Sequence, residues 1–364
     1  MAISNPINQR RVNLNDGSQI PVIGLGTFLS APNQVTEAVI ASWKAGMRHF
    51  DCAQFYQVRT TRPGDRERTE SLADPPQNEQ EVGAALKQHS KEPGYRREDM
   101  WLTSKAWNSH HRPENLEKAL EKALEKALDQ TLVDLGTDYI DLYLIHWPAN
   151  FAAVPDAQSP TGIALEPSEN GVMQLDKELS LVDTWKAMSR LKEQGKIRSI
   201  GVSNFSPSHI QALIDATGII PAVNQVEAHP LLNQQSLLEY CSQHKIHITA
   251  YMPFGGDISR GGNQVLGSPV VRDIARKTGE EPGQVLVSWS IKRGFSVLLK
   301  SVKPSRIESN FQAFDLSDED YEEITALGKT PVRFGGLPYS FDPGWKVNVF
   351  NTAEEREAGL FEPF

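Results

Sequence analysis

Eight short β-branched or aliphatic runs recur along the chain with helical segments between them. They are IGLGT (23–27), HFDCA (49–53), WLTSK (101–105), YIDLYLIH (139–146), IRSIGVS (197–203), AVNQVE (222–227), IHITAYM (246–252) and SVLLK (296–300). Strands that alternate with helices pair in parallel through right-handed crossovers, and the helices bury both faces of the sheet. With eight such units in 364 residues, a closed (β/α)8 TIM barrel of the α/β class is expected rather than an open doubly wound sheet.

The segments between the runs carry apolar residues at helical spacing. Examples are QVTEAVIASWKAG, SLVDTWKAMSRLKEQG and QQSLLEYCSQH, the first two ending on a glycine that serves as a stop signal. Ahead of the first run, RVNLNDGSQIPVIG places Asp16-Gly17 between alternating apolar residues, the pattern of an N-terminal β-hairpin able to plug one mouth of the barrel. The segment LEKALEKALEKALDQTL (116–132) is built of strong helix formers. A repeat of four drifts round a 3.6-residue helix, so Leu116, Leu120, Leu124 and Leu128 are not expected to share one core stripe, and the segment reads as an elongated surface helix. Residues 1–328 are read as one barrel domain and 329–364 as an ordered C-terminal tail, rich in aromatics, Gly and Pro, lying over the barrel.

A hydrophobic fraction of 39% with 23% charged residues is that of an ordinary folded chain. The net charge of -9 offers no basic stripe for nucleic acid and no polybasic anchor for a membrane. No stretch reaches 18 continuous apolar residues, and the first residues lack an apolar signal core, so a cytoplasmic protein is expected. Cys52 and Cys241 fall in no metal-ligand spacing and read as small buried hydrophobes; no metal site is expected.

Barrel enzymes place their chemistry at the C-terminal ends of the strands. Those ends hold Asp51, Lys105, His146, Asn204, Gln225, Tyr251 and Lys300. Past the last strand, Lys300, Ser301, Lys303, Arg306 and Asn310 read as an anion site, with three cations flanking a hydroxyl and a helix start at Pro304.

Around these positions the chain resembles the aldo-keto reductase family. The motifs are GLGTF (24–28), RHFDCAQFY (48–56), LTSKAW (102–107), DLYLIHWP (141–148), GKIRSIGVSNFS (195–206), NQVEAHP (224–230), AYMPFG (250–255) and LLKSVKPSRIESNFQ (298–312), in the family's order across most of the chain. No GxGxxG follows the first strand, which separates the pattern from a Rossmann dinucleotide fold.

The resemblance implies an NADP-dependent oxidoreductase that reduces an aldehyde or ketone, reversibly oxidising an alcohol, with Asp51, Tyr56, Lys105 and His146 as catalytic residues. Carbonyl reduction puts negative charge on oxygen, so a nearby acid must donate a proton. Tyr56 takes that part, with Lys105 expected to lower its pKa, Asp51 to keep Lys105 charged, and neutral His146 to orient the carbonyl.

The nicotinamide falls to Ser203, Asn204, Gln225 and Tyr251, the pyrophosphate loop (255–264) to a latch at Asp257, and the 2'-phosphate to the Lys300–Asn310 cluster. Lys303 stands where many relatives have Thr, which leaves the cluster cationic and favours NADPH over NAD. Phe28, Trp107, His146 and Trp147 are expected to wall the substrate pocket, and a monomer acting on small molecules is implied.

One stretch departs from the family. Its catalytic tyrosine is followed almost at once by a helix start, here NEQEVGAAL (78–86), yet residues 58–77 intervene. Without them the chain reads FDCAQFYQNEQEVGAALK. Gln57 can be coded CAG, Val58-Arg59 GTACGN, Ala73-Asp74 GCTGAC and Gln77 CAG, which fit the donor, branch and acceptor signals of a short fungal-type intron. Residues 58–77 are therefore read as a translated intron absent from the working protein. If they are retained, displacement of Tyr56 is expected to leave an impaired, cofactor-binding or regulatory barrel, the competing function.

Overall fold

The computed structural model describes residues 6–28, 30, 33–54, 56, 78–108, 118–152, 168–256 and 263–364. The run 58–77, Leu116 and Asp257 lie outside the described residues.

The chain opens with an antiparallel hairpin, β1 (Arg11–Asn13) and β2 (Gln19–Pro21), in which Val12 pairs with Ile20. The barrel follows: β3 (Ile23–Gly26), α1 (Gln34–Lys44), β4 (His49–Asp51), α2 (Asn78–His89), β5 (Trp101–Ala106), α3 (Lys118–Leu135) and β6 (Ile140–Ile145). A two-residue hairpin, β7 (Ser168–Glu169) and β8 (Val172–Met173), leads into α4 (Leu181–Glu193). Next come β9 (Ile197–Ser203), α5 (Pro207–Thr217), β10 (Val223–Glu227), α6 (Gln235–Gln243) and β11 (His247–Tyr251). The closing turns are α7 (Asn263–Leu266), α8 (Pro269–Thr278), α9 (Pro282–Lys292), β12 (Ser296–Leu299), α10 (Pro304–Phe311), α11 (Asp318–Thr325) and, in the tail, α12 (Ala353–Glu357).

All eight strands expected from the sequence pair in parallel, in chain order, as one closed barrel: β3, β4, β5, β6, β9, β10, β11, β12 and back to β3. β5 and β6 are buried at every residue, as strands covered on both faces must be. The expected stop glycines act as such: Gly46 and Gly195, one residue past the C-caps of α1 and α4, have φ of 98° and 83°, a left-handed conformation that suits glycine.

The hairpin does close a mouth. Leu14 and Ile20 pack with Trp101, Leu142, Leu144, Ala222 and Val223 at the N-terminal end of the barrel, and Asn15 donates to the Pro221 carbonyl at 2.9 Å. Chemistry is thereby confined to the opposite end. Cys52 and Cys241 are free and buried, as their sequence context suggested.

The α3 helix buries part of its repeat. Leu124 and Leu128 are both fully buried, because a single step of four drifts too little to leave a core stripe. α3 also lies tight against α2. A Cβ built on Gly83 of α2 would sit 2.0 Å from the Asp134 carbonyl oxygen, a contact only backbone movement relieves. Gly83→Ala is therefore expected to cost about 1–3 kcal/mol in chemical denaturation, the usual range for overpacking. Unchanged stability would mean the two helices are not this close.

Candidate active site

Four side chains converge at the C-terminal mouth. Asp51 ends β4, Lys105 is the penultimate residue of β5, His146 directly follows β6, and Tyr56 stands five residues beyond Asp51. Lys105 points into the barrel and is fully buried, so its ammonium needs partners for all three protons. It finds the Asp51 carboxylate at 2.7 and 2.8 Å, the Cys52 carbonyl at 3.0 Å and the Tyr56 hydroxyl oxygen at 3.0 Å.

This saturation fixes the phenol's orientation. Because Lys105 donates to Tyr56 Oη, the phenol accepts there and keeps its own proton for another acceptor. Within the protein that acceptor is Asp51 Oδ2 at 3.4 Å, a weak contact at the limit of hydrogen bonding.

The electrostatics differ from the expectation that Lys105 lowers the Tyr56 pKa. Burial, followed by the negative charge of Asp51, pushes the phenol well above its ordinary value. The resting tyrosine is thus protonated. Burial and then the Lys105 charge hold His146 well below the usual imidazole range, so it is neutral. Its Nδ1 has no hydrogen-bond partner among the described residues.

In this 364-residue chain Tyr56 lies within 3.0 Å of Lys105. The Asn78 amide, first in α2, donates to the Tyr56 carbonyl at 3.1 Å, so the two residues on either side of 57–77 are in contact.

Beside these four, Ser203, Asn204, Gln225 and Tyr251 form a continuous network. Ser203 Oγ donates to the Gln225 carbonyl at 2.8 Å, Asn204 Nδ2 to the His146 carbonyl at 3.1 Å, and Tyr251 Oη to Asn204 Oδ1 at 2.7 Å. Gln225 Nε2 donates to Asp51 Oδ1 at 2.8 Å and joins the network to the ion pair. Asn204 holds a left-handed φ of 66°, which asparagine tolerates, and this turns its amide back toward Tyr251.

The cationic segment lies at the end of β12. Lys300, Lys303 and Arg306 are exposed, Lys303 is the N-cap of α10, and its amide bonds Ser301 Oγ at 3.1 Å. Asn310 lies farther along α10, its side chain resting against Gly283 of α9.

Aromatic rings line the mouth on the other side. The Phe28 ring is 5.0 Å from Tyr56, and His146 stands between Tyr56 at 5.8 Å and Trp107 at 5.1 Å. Trp147 lies 5.4 Å from Trp345, 6.5 Å from Phe341 and 6.2 Å from Phe350. Those three tail residues were not singled out in the sequence, where the only signal was the density of aromatics in YSFDPGWKVNVF. The tail is tied down by Glu227, at the end of β10, which accepts the Phe334 and Gly335 amides at 2.7 and 2.9 Å.

Sequence reasoning also passed over Glu79. It is fully buried in the first turn of α2, accepting from Ser104 Oγ at 2.5 Å and Thr131 Oγ1 at 2.9 Å. Burial raises its pKa from 4.5 to about 7, against the opposing pull of those two bonds.

The chain matches the sequence model of the aldo/keto reductase family over residues 22–329. It is 42% identical over 357 residues to D/L-glyceraldehyde reductase of Hypocrea jecorina, covering 96% of each protein. It is 37% identical to glycerol 2-dehydrogenase (NADP(+)) of Saccharomyces cerevisiae, covering 87% of this chain and 90% of the yeast protein. The structure resembles that of the aldose reductase from Schistosoma japonicum, with a TM-score of 0.74, 35% identity, and coverage of 89% of this chain and 93% of that one.

Glu79 makes stability pH-dependent in a stated direction. A carboxyl whose pKa is raised on folding contributes stability that is complete below 4.5 and lost as pH rises through about 7. Relative to Glu79→Gln, the parent is expected to lose up to about 3 kcal/mol over that window, read as the difference in denaturation midpoints. A difference that stays constant with pH would refute the assignment.

Proposed function

The chain belongs to the aldo/keto reductase family and is an NADP-dependent oxidoreductase, and on that premise we propose that it reduces an aldehyde or ketone with Tyr56 as the general acid. The observation that carries this reading is the saturation of Lys105, which leaves the Tyr56 proton with only a weak 3.4 Å contact to Asp51 Oδ2 that an incoming oxygen can replace. Bound NADPH supplies the hydride.

As negative charge develops on the carbonyl oxygen, Tyr56 gives it the proton, and the ammonium of Lys105 stabilises the phenolate left behind. Asp51 holds the ammonium in place, and neutral His146 orients the carbonyl between Tyr56 and Trp107. The same groups run the reverse reaction, with the phenolate accepting the proton of an alcohol.

Two features support a fit to the dinucleotide. The Ser203, Asn204 and Gln225 side chains present donors and acceptors together beside the ion pair, complementary to a carboxamide, with the Tyr251 ring next to them. At the other end, Lys303 and Arg306 stand exposed at the start of α10, with Lys300, Ser301 and Asn310 in the same segment, which suits a phosphate.

Phe28, Trp107, His146 and Trp147 line the substrate side, joined by Trp345, and favour a carbonyl compound with an apolar or ring portion. The glyceraldehyde reductase named above makes short hydroxyaldehydes the second class to test. We further read the chain as a cytoplasmic monomer acting on small molecules. Among the described residues no helix is long and apolar enough to cross a membrane.

Purified protein is expected to oxidise NADPH with 4-nitrobenzaldehyde and with glyceraldehyde. Tyr56→Phe should lower kcat by about 100-fold or more while still quenching tryptophan fluorescence on binding NADPH. Parent turnover no higher than that of Tyr56→Phe would sink the enzyme reading.

The run 58–77 remains a proposal of its own: a translated intron, absent from the working form. The Tyr56–Asn78 bond supports its removal, since Gln57 alone then joins residues already in contact. A chain lacking 58–77 is expected to fold and to turn over at least as fast as the full chain. Loss of folding on deletion, or a mature transcript that keeps the segment, would end the idea.

A further inference from the structure

We propose that Glu79 is a positioning residue for the reaction, anchoring the first turn of α2 so that Asn78 holds the Tyr56 backbone and sets the phenol against Lys105. This rests on the carbonyl-reductase reading above. No residue of the proposed chemistry touches Glu79 directly; the inference concerns what stands behind Tyr56.

The connections can be traced bond by bond. Strand alternation turns Lys105 into the barrel and its neighbour Ser104 outward, under the helices. Ser104 Oγ donates to one oxygen of Glu79, and Thr131 Oγ1 of α3 donates to the other. The carboxyl is thus bridged between β5 and α3. Asn78 precedes it in the chain, and its amide donates to the Tyr56 carbonyl.

The Asn78 side chain donates to the Thr27 carbonyl at 2.6 Å, and Thr27 in turn donates through its amide and its hydroxyl to the Asp51 carbonyl. One helical turn therefore touches the backbones that carry Tyr56 and, through Thr27, Asp51. It is itself fixed to the strand that carries Lys105.

The bracing bears directly on the full 364-residue chain. Tyr56 is separated from α2 by 21 residues, so covalent connection alone does not locate it relative to the helix. A displacement of about 1 Å at a proton donor can cost about 100-fold in rate. A buried carboxyl is costly, and an apolar residue would fill the gap between α2, α3 and β5 more cheaply if packing were its sole task. Lys105 of β5, Cys52 just past β4, Tyr143 of β6 and Asp134 of α3 are the titratable groups acting on it or acted on by it. None of them replaces either hydrogen bond.

The test compares Glu79→Ala with Glu79→Gln in the full chain. Glutamine can accept from Ser104 and donate to Thr131, so it keeps both anchors without the charge; alanine keeps neither. Glu79→Ala is expected to lower kcat about tenfold or more, with KM for the aldehyde and Kd for NADPH within about twofold of the parent. Glu79→Gln should restore most of kcat.

Unchanged kcat in Glu79→Ala overturns the proposal. So does a fall in kcat matched by an equal loss of NADPH affinity, or a Gln variant as slow as the Ala one. If Glu79→Ala does not fold, Ser104→Ala and Thr131→Val remove one anchor each, and kcat equal to the parent in both overturns the idea. A parent without turnover would refute the enzyme reading alone. In that case, hydrogen exchange at the Asn78 amide decides this one: faster exchange in Glu79→Ala than in Glu79→Gln supports it, and equal rates overturn it.

Discussion

The contact between Lys105 and Asp51 is the constraint around which this end of the molecule is arranged. An ammonium at 0% exposure is tolerable only when every proton is bonded, and its acceptors come from two chain positions, Asp51–Cys52 and Tyr56, on the neighbouring strand and the loop beyond it. β4 and β5 must therefore hold their register, in which Asp51 pairs with Thr103. Gln225 then completes the Asp51 carboxylate from across the barrel, and through Ser203 and Asn204 the ion pair is wired to the backbone of β9 and of His146. A half-satisfied cluster of this kind would be worse than an apolar one, so removing one member leaves its partners with unmet buried polar groups.

The two mouths of the barrel divide the remaining work. Hairpin residues Leu14 and Ile20 seal the N-terminal end with apolar contacts and contribute no ionisable side chain there. The C-terminal end stays polar on the side of β9 to β12 and aromatic on the side of β5 and β6. The tail belongs to the aromatic half: Trp345 meets Trp107 at 6.1 Å and Phe151 at 4.8 Å, edge to face, so strand-borne and tail-borne rings form one wall. Glu227 makes that attachment firm. Burial pushes its pKa up, but the His229 bond, the Arg333 charge and the Phe334 amide together bring it below the usual carboxylate value.

Much of this was legible in the sequence because barrel geometry turns position into function. A polar residue closing a run such as HFDCA or WLTSK projects into the mouth whatever its neighbours are, so Asp51, Lys105, His146 and Gln225 could be grouped without knowing any distance. Glu79 could not. In the string NEQEVGAAL it is an ordinary acidic residue at a helix start, and only the packing of α2 on α3, close enough to require Gly83, reveals that it faces inward. The tail aromatics were hidden for another reason: with no period in the segment, nothing says which of its rings turn toward the barrel. The direction of the Tyr56 pKa depends on burial outweighing a neighbouring cation, and burial is a tertiary quantity.

The joint between Tyr56 and Asn78 is held by the Asn78 amide, which donates to the Tyr56 carbonyl at 3.1 Å. Closing a connection of 21 residues rather than one costs about 3 kcal/mol by loop-closure scaling, and the cost grows only slowly with further length. Against it stand the bonds from Asn78 to Tyr56 and Thr27, those from Ser104 and Thr131 to Glu79, and one from the Asn33 amide to Glu81 at 2.8 Å. At about 1 kcal/mol each these are together sufficient to offset the closure term. These bonds tie the start of α2 to Tyr56, to Thr27 and to the neighbouring β5 and α3.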